Sequence, residues 1–395
     1  MKGYIFILLL CLFAMSCVNN NQNQKAEQEI SESEVKPSES GEKNEFKFWE
    51  FDMRKEYPAK DLYIQDIADV EYLPIETNDS MLWLGREINY VDDDIIMAAN
   101  DKSGVLFHDR KSGKALYSFH RKGNGPEEYR ALSSVAYDKE KNEVFVLDMM
   151  SSKYYVYDDK GKFIRKFIAE GKQRPYRFFL CGNDELVEYN AENTYTRRSR
   201  KDGKTLEVFT FGDNPNFGLA FNKDNLRYNM ATNMFIKDND GYILSAFASD
   251  TTWLLTSEMK KEPIGVRTPS VLSMEVPKFL LPIKNTPNYY FMYAVERSEE
   301  YPVDMYMIDK NSNQIYWLKN MLKNKDCINH EVDLDLSGRI CDANIPTDLS
   351  IQALGALGLI KANEDGRLSG KLKEIADNLD EGDNPVLMIM KFKKE

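Results

Sequence analysis

The feature that most constrains the fold of this sequence is a hairpin pattern that recurs along the chain. An alternating apolar run at 105–109 leads through Lys-Ser-Gly-Lys into a second run at 115–119, and the same order recurs at 154–167. A looser copy spans 305–318. Two alternating runs joined by a short turn are typical of a β-hairpin. The chain is therefore predicted to be all-β.

The spacing of the turn glycines gives the size of the repeating unit. Gly113 and Gly161 are 48 residues apart, and Gly161 and Gly203 are 42 apart. This interval is typical of a four-stranded propeller blade and not of a helical solenoid. About 340 residues, at about 45–55 per blade, fit six blades better than seven. The predicted fold is a six-bladed β-propeller of four-stranded blades.

Segments near both ends of the chain are predicted to complete one blade together. Residues 70–77 and residues 384–392 both have the pattern of a strand. A propeller commonly closes by combining strands from its two termini, which hides the sheet edges. The rival all-β arrangement, two stacked sandwiches, requires a linker-like break, and none occurs between residues 90 and 330.

A polar stretch before the last strand is predicted to be helical. Between residues 366 and 379 the apolar residues stand at helical spacing: Leu368, Leu372, Ile375, Ala376 and Leu379. This spacing predicts a short C-terminal amphipathic helix that covers one face of the fold.

The composition limits the kinds of partner that the chain can have. Of the 395 residues, 42% are hydrophobic and 12% are aromatic, which is enough for a sizeable core. The formal net charge is −12, and no stripe of basic residues offsets it. Because such an acidic surface repels nucleic acid, no nucleic-acid partner is predicted.

The first residues are predicted to export the protein. Residues 1–16 combine Lys2 with an apolar run at 4–14, as in a signal peptide, and this run is shorter than the roughly 20 residues that span a bilayer. The sequence Ala-Met-Ser-Cys at 14–17 resembles a bacterial lipobox, in which the cysteine is acylated. Cys17 is therefore the predicted lipid-attachment residue. An ordinary signal peptide or a weak membrane anchor is the alternative.

Residues 17–44 are predicted to be the lipidated cysteine and a disordered tether. The stretch after Cys17 is almost free of apolar residues, so it cannot build a core, and its reach as a coil is roughly 25–30 Å. Val18 stands where an Asp would favour the inner membrane, so the prediction is an outer-membrane lipoprotein, on either its periplasmic face or the cell surface. The propeller domain is assigned to residues 45–395.

The cysteines give no disulfide framework. With Cys11 in the signal peptide and Cys17 on the lipid, Cys181, Cys327 and Cys341 remain, and an odd number leaves at least one thiol unpaired. Buried free thiols are favoured over a bond between Cys327 and Cys341.

Residues 72–167 resemble the six-bladed β-propeller lipoproteins of Bacteroidota, which have a shape similar to NHL-repeat propellers. The resemblance lies in Leu-Pro-Ile-Glu-Thr at 73–77, in the hairpin at 105–119, and in a loop at 121–129. In this loop the chain has Glu127 where the family usually has glycine. The resemblance implies a lipid-anchored, non-enzymatic propeller, and it implies no catalytic residues.

The loop that matches the family pattern is the one candidate site in the sequence. The matching residues are Gly123, Gly125, Pro126, Glu128 and Tyr129. As an inter-blade turn, it would use the glycines for positive φ and Glu128 to accept from turn amides. The functional alternative is an anion-binding nest beside Arg121, Lys122 and Arg130. The structural interpretation is favoured.

No other pattern in the sequence is typical of an active site. His108, His120 and His330 form no HxH or HExxH motif, and the first two are expected to be hydrogen-bonded structural imidazoles. No Gly-x-Ser-x-Gly elbow or carboxylate pair stands out. Residues 92–94 are three aspartates, but they lack the ligand spacing of an EF-hand. No catalytic, metal-binding or cofactor-binding residue is predicted.

Two functions from different classes follow from these observations. The main prediction is a lipid-anchored binding module, without enzymatic activity, whose propeller faces contact a peptide, a glycan or an envelope protein. The alternative is a calcium-dependent hydrolase or lactonase, because an axial metal site draws its ligands from separate blades and leaves no local motif.

Overall fold

The computed structural model describes residues 48–394 except residues 86, 149, 172–173, 183, 191–193, 211–233, 246–248, 297, 299–301, 320 and 328–344. The predicted signal peptide, the lipid-attachment residue Cys17 and the tether lie outside the described residues, as do His330 and Cys341. The domain boundaries given above therefore stay predictions.

The described residues form twenty-five strands and three short α-helices. The strands are β1 (Trp49–Asp52), β2 (Ala59–Lys60), β3 (Ala68–Pro74), β4 (Tyr90–Val91), β5 (Ile95–Asn100), β6 (Gly104–Asp109), β7 (Ala115–Phe119), β8 (Leu132–Asp138), β9 (Glu143–Asp148), β10 (Lys153–Tyr157), β11 (Phe163–Ile168), β12 (Pro175–Cys181), β13 (Glu185–Asn190), β14 (Thr194–Ser199), β15 (Thr205–Thr210), β16 (Met234–Asp238), β17 (Gly241–Ser245), β18 (Thr251–Thr256), β19 (Lys261–Thr268), β20 (Lys278–Asn285), β21 (Tyr289–Glu296), β22 (Val303–Asp309), β23 (Ile315–Leu318), β24 (Leu349–Leu354) and β25 (Val386–Phe392). The helices are α1 (Ile64–Ile67), α2 (Ala356–Glu364) and α3 (Gly370–Ala376).

The strands form six sheets, which are the blades of a propeller. Blades one to five contain β4–β7, β8–β11, β12–β15, β16–β19 and β20–β23, and blade six contains β24, β25 and β3. Strand β8 lies beside β12, and β16 beside β20, so the first strand of a blade faces the ring centre and the fourth lies at the rim. The predicted six-bladed all-β fold is confirmed, and the two-sandwich alternative is excluded.

The turn between the third and fourth strands of a blade is the part that the sequence repeats. Gly113, Gly161 and Gly203 take this position in blades one to three, with φ of 70°, 79° and 80°, a left-handed conformation that favours glycine. In blades four and five the positive φ belongs to Met259 (64°) and Asn313 (60°). The three predicted hairpins are confirmed as the last two strands of blades one, two and five.

An N-terminal strap, residues 49–60, covers the outer edges of two blades. Its strand β1 pairs in parallel with β19 of blade four, and β2 pairs in parallel with β23 of blade five. Trp49 and Phe51 are buried there. Gly265 of β19 has no room for a Cβ atom because the Trp49 ring fills that space. The strap therefore protects two edge strands that would otherwise offer free backbone groups.

Blade six joins the two ends of the described chain. Strand β25 lies between β24 and β3 and pairs with both in antiparallel register, with Val386 opposite Pro74 and Phe392 opposite Ala68. The predicted closure by strands from the two ends is confirmed.

The helical prediction before β25 is only partly right. The helix begins at Gly370 rather than near residue 366, because Leu368 forms an isolated antiparallel β-bridge with Cys327. A second helix, α2, was not predicted. Leu372 and Ala376 of α3 are buried in the same core cluster as Met388 of β25, so the helix covers blade six as expected.

A buried ion pair within blade three accepts a hydrogen bond from blade two. Arg198 Nη2 lies 2.6 Å from Glu188 Oε1, and the Tyr154 hydroxyl donates to Glu188 Oε2 at 2.9 Å. All three side chains are buried, and burial raises the pKa of the Glu188 carboxyl against the opposing effect of Arg198. This pair ties the middle strands of blade three to β10 of blade two.

Candidate functional site

The candidate loop connects β7 of blade one to β8 of blade two. Its backbone is closed by hydrogen bonds from Gly123 N to Tyr129 O at 2.9 Å and from Tyr129 N to Arg121 O at 3.1 Å. The Glu128 carboxylate accepts from Gly125 N at 2.8 Å. Tyr129 is fully buried. The loop is thus packed into the junction between two blades.

Polar groups of this loop form hydrogen bonds and an ion pair with blades one and two. Lys166 Nζ donates to Pro126 O at 2.6 Å. Arg121 Nε donates to a backbone carbonyl of blade two at 2.8 Å, and Lys122 pairs with an aspartate of blade one. Two of the three cations named for an anion-binding nest, Arg121 and Lys122, therefore already have partners, and the structural interpretation of the loop stays a prediction.

Gly123 and Gly125 do not have the backbone conformation that was expected of them. Neither Gly123 nor Gly125 has a φ in the left-handed region, so the expectation of positive φ is wrong. The Glu128 carboxylate instead occupies the space that a Cβ atom at Gly123 would need. A larger residue at Gly123 would therefore require the Glu128 side chain to move.

The described histidines do not form a reactive site. His108 is fully buried on β6, stacked on Trp83 with ring centres 5.6 Å apart, and neither ring nitrogen has a hydrogen-bond partner. The expected hydrogen-bonded imidazole is therefore wrong for His108. Burial lowers its pKa to about 4, so the ring is neutral near pH 7. His120 lies exposed at the end of β7.

Two of the three carboxylates at residues 92–94 pair with a lysine of the next blade. Lys139 Nζ lies 2.6 Å from Asp92 Oδ2 and 2.8 Å from Asp94 Oδ2. Asp92 Oδ1 also accepts from the backbone of Asp94 at 2.8 Å. Over the described part of the chain, no group of three or more His, Cys, Asp or Glu side chains is placed to hold a metal ion.

The described cysteines are shielded thiols. Cys327 is buried and Cys181 half-buried, and both are free. Burial raises the pKa of each thiol to about 12. Neither cysteine is therefore a thiolate nucleophile at neutral pH.

A cleft of about 690 Å³ opens where turns of blades two, three and four meet strand β4 of blade one. Its walls are turns between first and second strands, at 138–141 in blade two, at 180–182 with Asp184 in blade three, and at 237–242 in blade four. Tyr90 of blade one and a further turn of blade four, which includes Ser257, complete it. We call this hollow the turn cleft. Its size suits a small molecule or a few residues of a peptide.

Most cations of the turn cleft are paired with carboxylates. Besides Lys139, Arg200 Nη1 lies 2.7 Å from Asp138 Oδ2 of the neighbouring blade. Lys141 Nζ lies 2.6 Å from Asp184 Oδ1. These pairs cross from blade to blade and hold the rim of the cleft.

Lys237 also lines the turn cleft, but it differs from these cations in its contacts. Its ammonium group lies over the Tyr242 ring, 4.4 Å from the ring centre, and it forms no ion pair with any described residue. Burial lowers its pKa, while Asp238 and Cys181 act in the opposite direction. Tyr242 is held in place because its hydroxyl donates to Leu180 O at 2.8 Å.

The sequence did not predict the turn cleft or Lys237. The lining residues are spread from residue 90 to residue 259, and each comes from a turn that resembles other turns of the repeat. No local motif marks them, so only the blade arrangement brings them together.

A family comparison matches residues 50–267, more than half of the chain, to a family described as a domain of unknown function, DUF4934. This chain belongs to the DUF4934 family. The matched span begins in β1 and ends in β19, so it contains the N-terminal strap, blades one to four and the whole turn cleft. No curated protein matches the chain.

Two solved structures are similar to this DUF4934 protein. An exported protein from Bacteroides fragilis NCTC 9343 is 16% identical with a TM-score of 0.62, and the match covers 87% of this chain and 99% of that one. A member of the duf4221 family from Bacteroides vulgatus ATCC 8482 is 9% identical with a TM-score of 0.49, covering 84% and 100%. The predicted resemblance to a family of Bacteroidota propellers is confirmed. Among the described residues, no helix is long and apolar enough to cross a membrane.

Proposed function

We propose that this DUF4934 protein is a lipid-anchored binding module of the bacterial envelope, and that its ligand, a peptide, a glycan or part of an envelope protein, occupies the turn cleft. The observation that carries the proposal is the cleft itself, which has a volume of about 690 Å³, is lined by residues of four blades, and has ion pairs that cross from blade to blade at its rim. The exported relative of the same fold supports an envelope location. The calcium-dependent alternative draws no support from the described residues, which contain no metal-holding group.

Ligand binding is tested by thermal unfolding of the full-length chain with peptide pools, glycan pools, calcium or a chelator. A ligand at a hundred times its dissociation constant adds about 2.7 kcal/mol to the free energy of unfolding. We expect a peptide or glycan pool to raise the melting temperature. Stabilisation by calcium alone, reversed by the chelator, would contradict the proposal and favour the hydrolase.

Two matched variants place the ligand. Ser257→Trp puts a large ring into the turn cleft, where Ser257 donates to Asp240 Oδ1 at 3.1 Å. Ser112→Trp makes the same change in the corresponding turn of blade one, where Ser112 donates to Asp109 Oδ1 at 2.5 Å, outside the cleft. We expect only Ser257→Trp to abolish the ligand-induced shift.

The anchor is tested separately. Cys17→Ser is expected to release the protein from the membrane fraction and to remove incorporation of a labelled fatty acid. Cys11→Ser, within the predicted signal peptide, is the control and is expected to leave both unchanged. Membrane association that survives Cys17→Ser would argue for the weak membrane anchor instead.

A further inference from the structure

We propose that the ligand of the turn cleft is a monocarboxylate whose carboxylate group pairs with the Lys237 ammonium; this proposal rests on the binding function proposed above. The pairing would give Lys237 the counter-ion that no described residue provides.

Lys237 stands apart from the other cations of the cleft. Lys139, Lys141 and Arg200 each lie within 2.8 Å of a carboxylate oxygen. Among the described residues, the Lys237 ammonium group contacts only the face of the Tyr242 ring, although Lys237 is half-buried and lines the same cleft. A partly desolvated cation gains most from an added anion, because its attraction to that anion is least screened by water.

Two other lysines with partly or fully buried side chains have oxygen acceptors for their ammonium groups. Lys310 Nζ donates to Asn285 Oδ1 and to Thr286 O, both at 2.5 Å, beside the Tyr290 ring. Buried Lys323 pairs with Asp61 at 2.8 Å. Lys237 combines an aromatic neighbour, like Lys310, with no oxygen acceptor among the described residues. The space where the acceptor would lie is the cleft.

The nearby acid groups do not fill this role. Asp238 follows Lys237 in β16, but its carboxylate accepts from Asn285 Nδ2 at 2.7 Å and from Asp240 N at 3.0 Å. The Cys181 thiol is protonated at neutral pH because burial raises its pKa to about 12. Neither group neutralises Lys237 by direct contact.

The charge balance of the cleft indicates how many negative charges a ligand can carry. The basic lining residues are Lys139, Lys141, Arg200 and Lys237, and the acidic ones are Asp138, Glu140, Asp184 and Asp240. The four acidic residues offset the four basic ones, so the lining has no net charge, and Lys237 is the one cation of the lining without a carboxylate partner among the described residues. One anionic group can therefore pair with Lys237, and further negative charges would meet the rim carboxylates. A monocarboxylate fits this balance, whereas a polyanion does not.

The carboxylate could belong to a short peptide, as its C-terminus, or to a small organic acid. The two sources are separated with uncharged tripeptides carrying a free C-terminus, the same tripeptides amidated, and benzoate and gluconate as free acids. Binding to the full-length chain is measured by titration calorimetry and thermal shift.

Variants of Lys237 test the pairing. Lys237→Met is expected to weaken binding of the carboxylate probe about 10- to 100-fold, the range typical of a hydrogen bond to a charged group. Lys237→Arg keeps the charge and is expected to retain most of the affinity. Lys162→Met, at an exposed lysine outside the cleft, is the control, and the melting temperature without ligand shows that each variant is folded.

The possible results separate this proposal from the binding function. Free-acid probes that bind in a Lys237-dependent way, while amidated peptides do not, support both. Amidated peptides that bind as well as free ones, or an unchanged affinity in Lys237→Met, overturn the carboxylate proposal and leave the binding function standing. Failure of every acid, peptide and glycan to bind overturns both.

Discussion

At the scale of single residues, burial decides what the titratable groups of this protein can do. His108 is completely enclosed, and its two ring nitrogens have no hydrogen-bond partner. Protonation would place an unpaired charge in an apolar site, so the folded protein resists it and the pKa falls to about 4. A group of this kind links folding to pH.

We expect acid to destabilise the protein through His108. Because the unfolded imidazole titrates at about 6.5 and the folded one at about 4, the unfolded state binds more protons between these values. The stabilising effect of the neutral ring is complete above pH 6.5 and is lost as the pH falls to 4, a change of about 3 kcal/mol. The measurement is the free energy of unfolding in urea at several pH values.

The variant His108→Phe keeps a ring against Trp83 and removes the titration. We expect its unfolding free energy to fall less between pH 7 and pH 4.5 than that of the native chain. His120→Phe, at an exposed position, is expected to match the native pH dependence. Identical slopes in all three proteins would show that His108 is protonated in the folded state.

The buried ion pair of blade three gives a second prediction at this scale. Arg198→Met leaves the buried Glu188 carboxylate without its counter-ion, which is expected to cost about 3–5 kcal/mol. The double variant Arg198→Met with Glu188→Leu is expected to recover most of this loss, because no charge stays buried. The measurement is chemical unfolding of both variants. Additive losses would mean that the two charges do not interact.

At the scale of elements, the packing of the N-terminal strap depends on the absence of a side chain at Gly265. Gly265→Ala would place a Cβ atom in the space filled by the Trp49 ring, so we expect it to displace β1 and to destabilise the protein by about 1–3 kcal/mol. Gly358→Ala, inside α2, meets no atom within 4 Å and is expected to be neutral or to stabilise by up to about 1 kcal/mol. Thermal unfolding of the two variants checks the contrast.

The sequence predicts an element well where a local rule determines it. Gly113, Gly161 and Gly203 marked three blades because their turns require positive φ. The glycine spacing did not mark blade four, because Met259 takes the left-handed conformation in its turn, and methionine is not a residue type that favours this conformation. Helix α2 was missed with Gly358 in its interior, a residue that lowers helix propensity.

The candidate site could not be predicted in the same way. The loop at 121–129 was visible because its residues are adjacent in the chain. Lys237 acquires its character only from Tyr242, Cys181 and the turns of other blades, which the ring brings near it. A property that depends on distant parts of the chain leaves no pattern at the residue itself.

At the scale of the whole molecule, the ring depends on one strand from the start of the propeller. A chain that begins at residue 68 keeps β3 and loses the strap, with its buried Trp49 and Phe51. We expect it to fold with a free energy of unfolding lower by at least about 3 kcal/mol. A chain that begins at residue 76 also loses β3, which leaves β25 with an open edge.

We expect the shorter chain to lose the single cooperative transition that the longer one keeps. Circular dichroism during urea unfolding is the measurement. A sharp transition in the chain that begins at residue 76 would mean that five blades and β24–β25 are stable without closure.

The pairing of β25 with β3 also determines when the ring can close during synthesis. Strand β3 is synthesised more than 300 residues before β25, and until then its backbone edge has no partner strand. While the chain is being made, five blades can form with the ring still open, and only the last part of the chain completes it. An interrupted or clipped product would keep an exposed edge strand, which proteases can attack. The ring therefore closes only when the chain has been synthesised as far as β25.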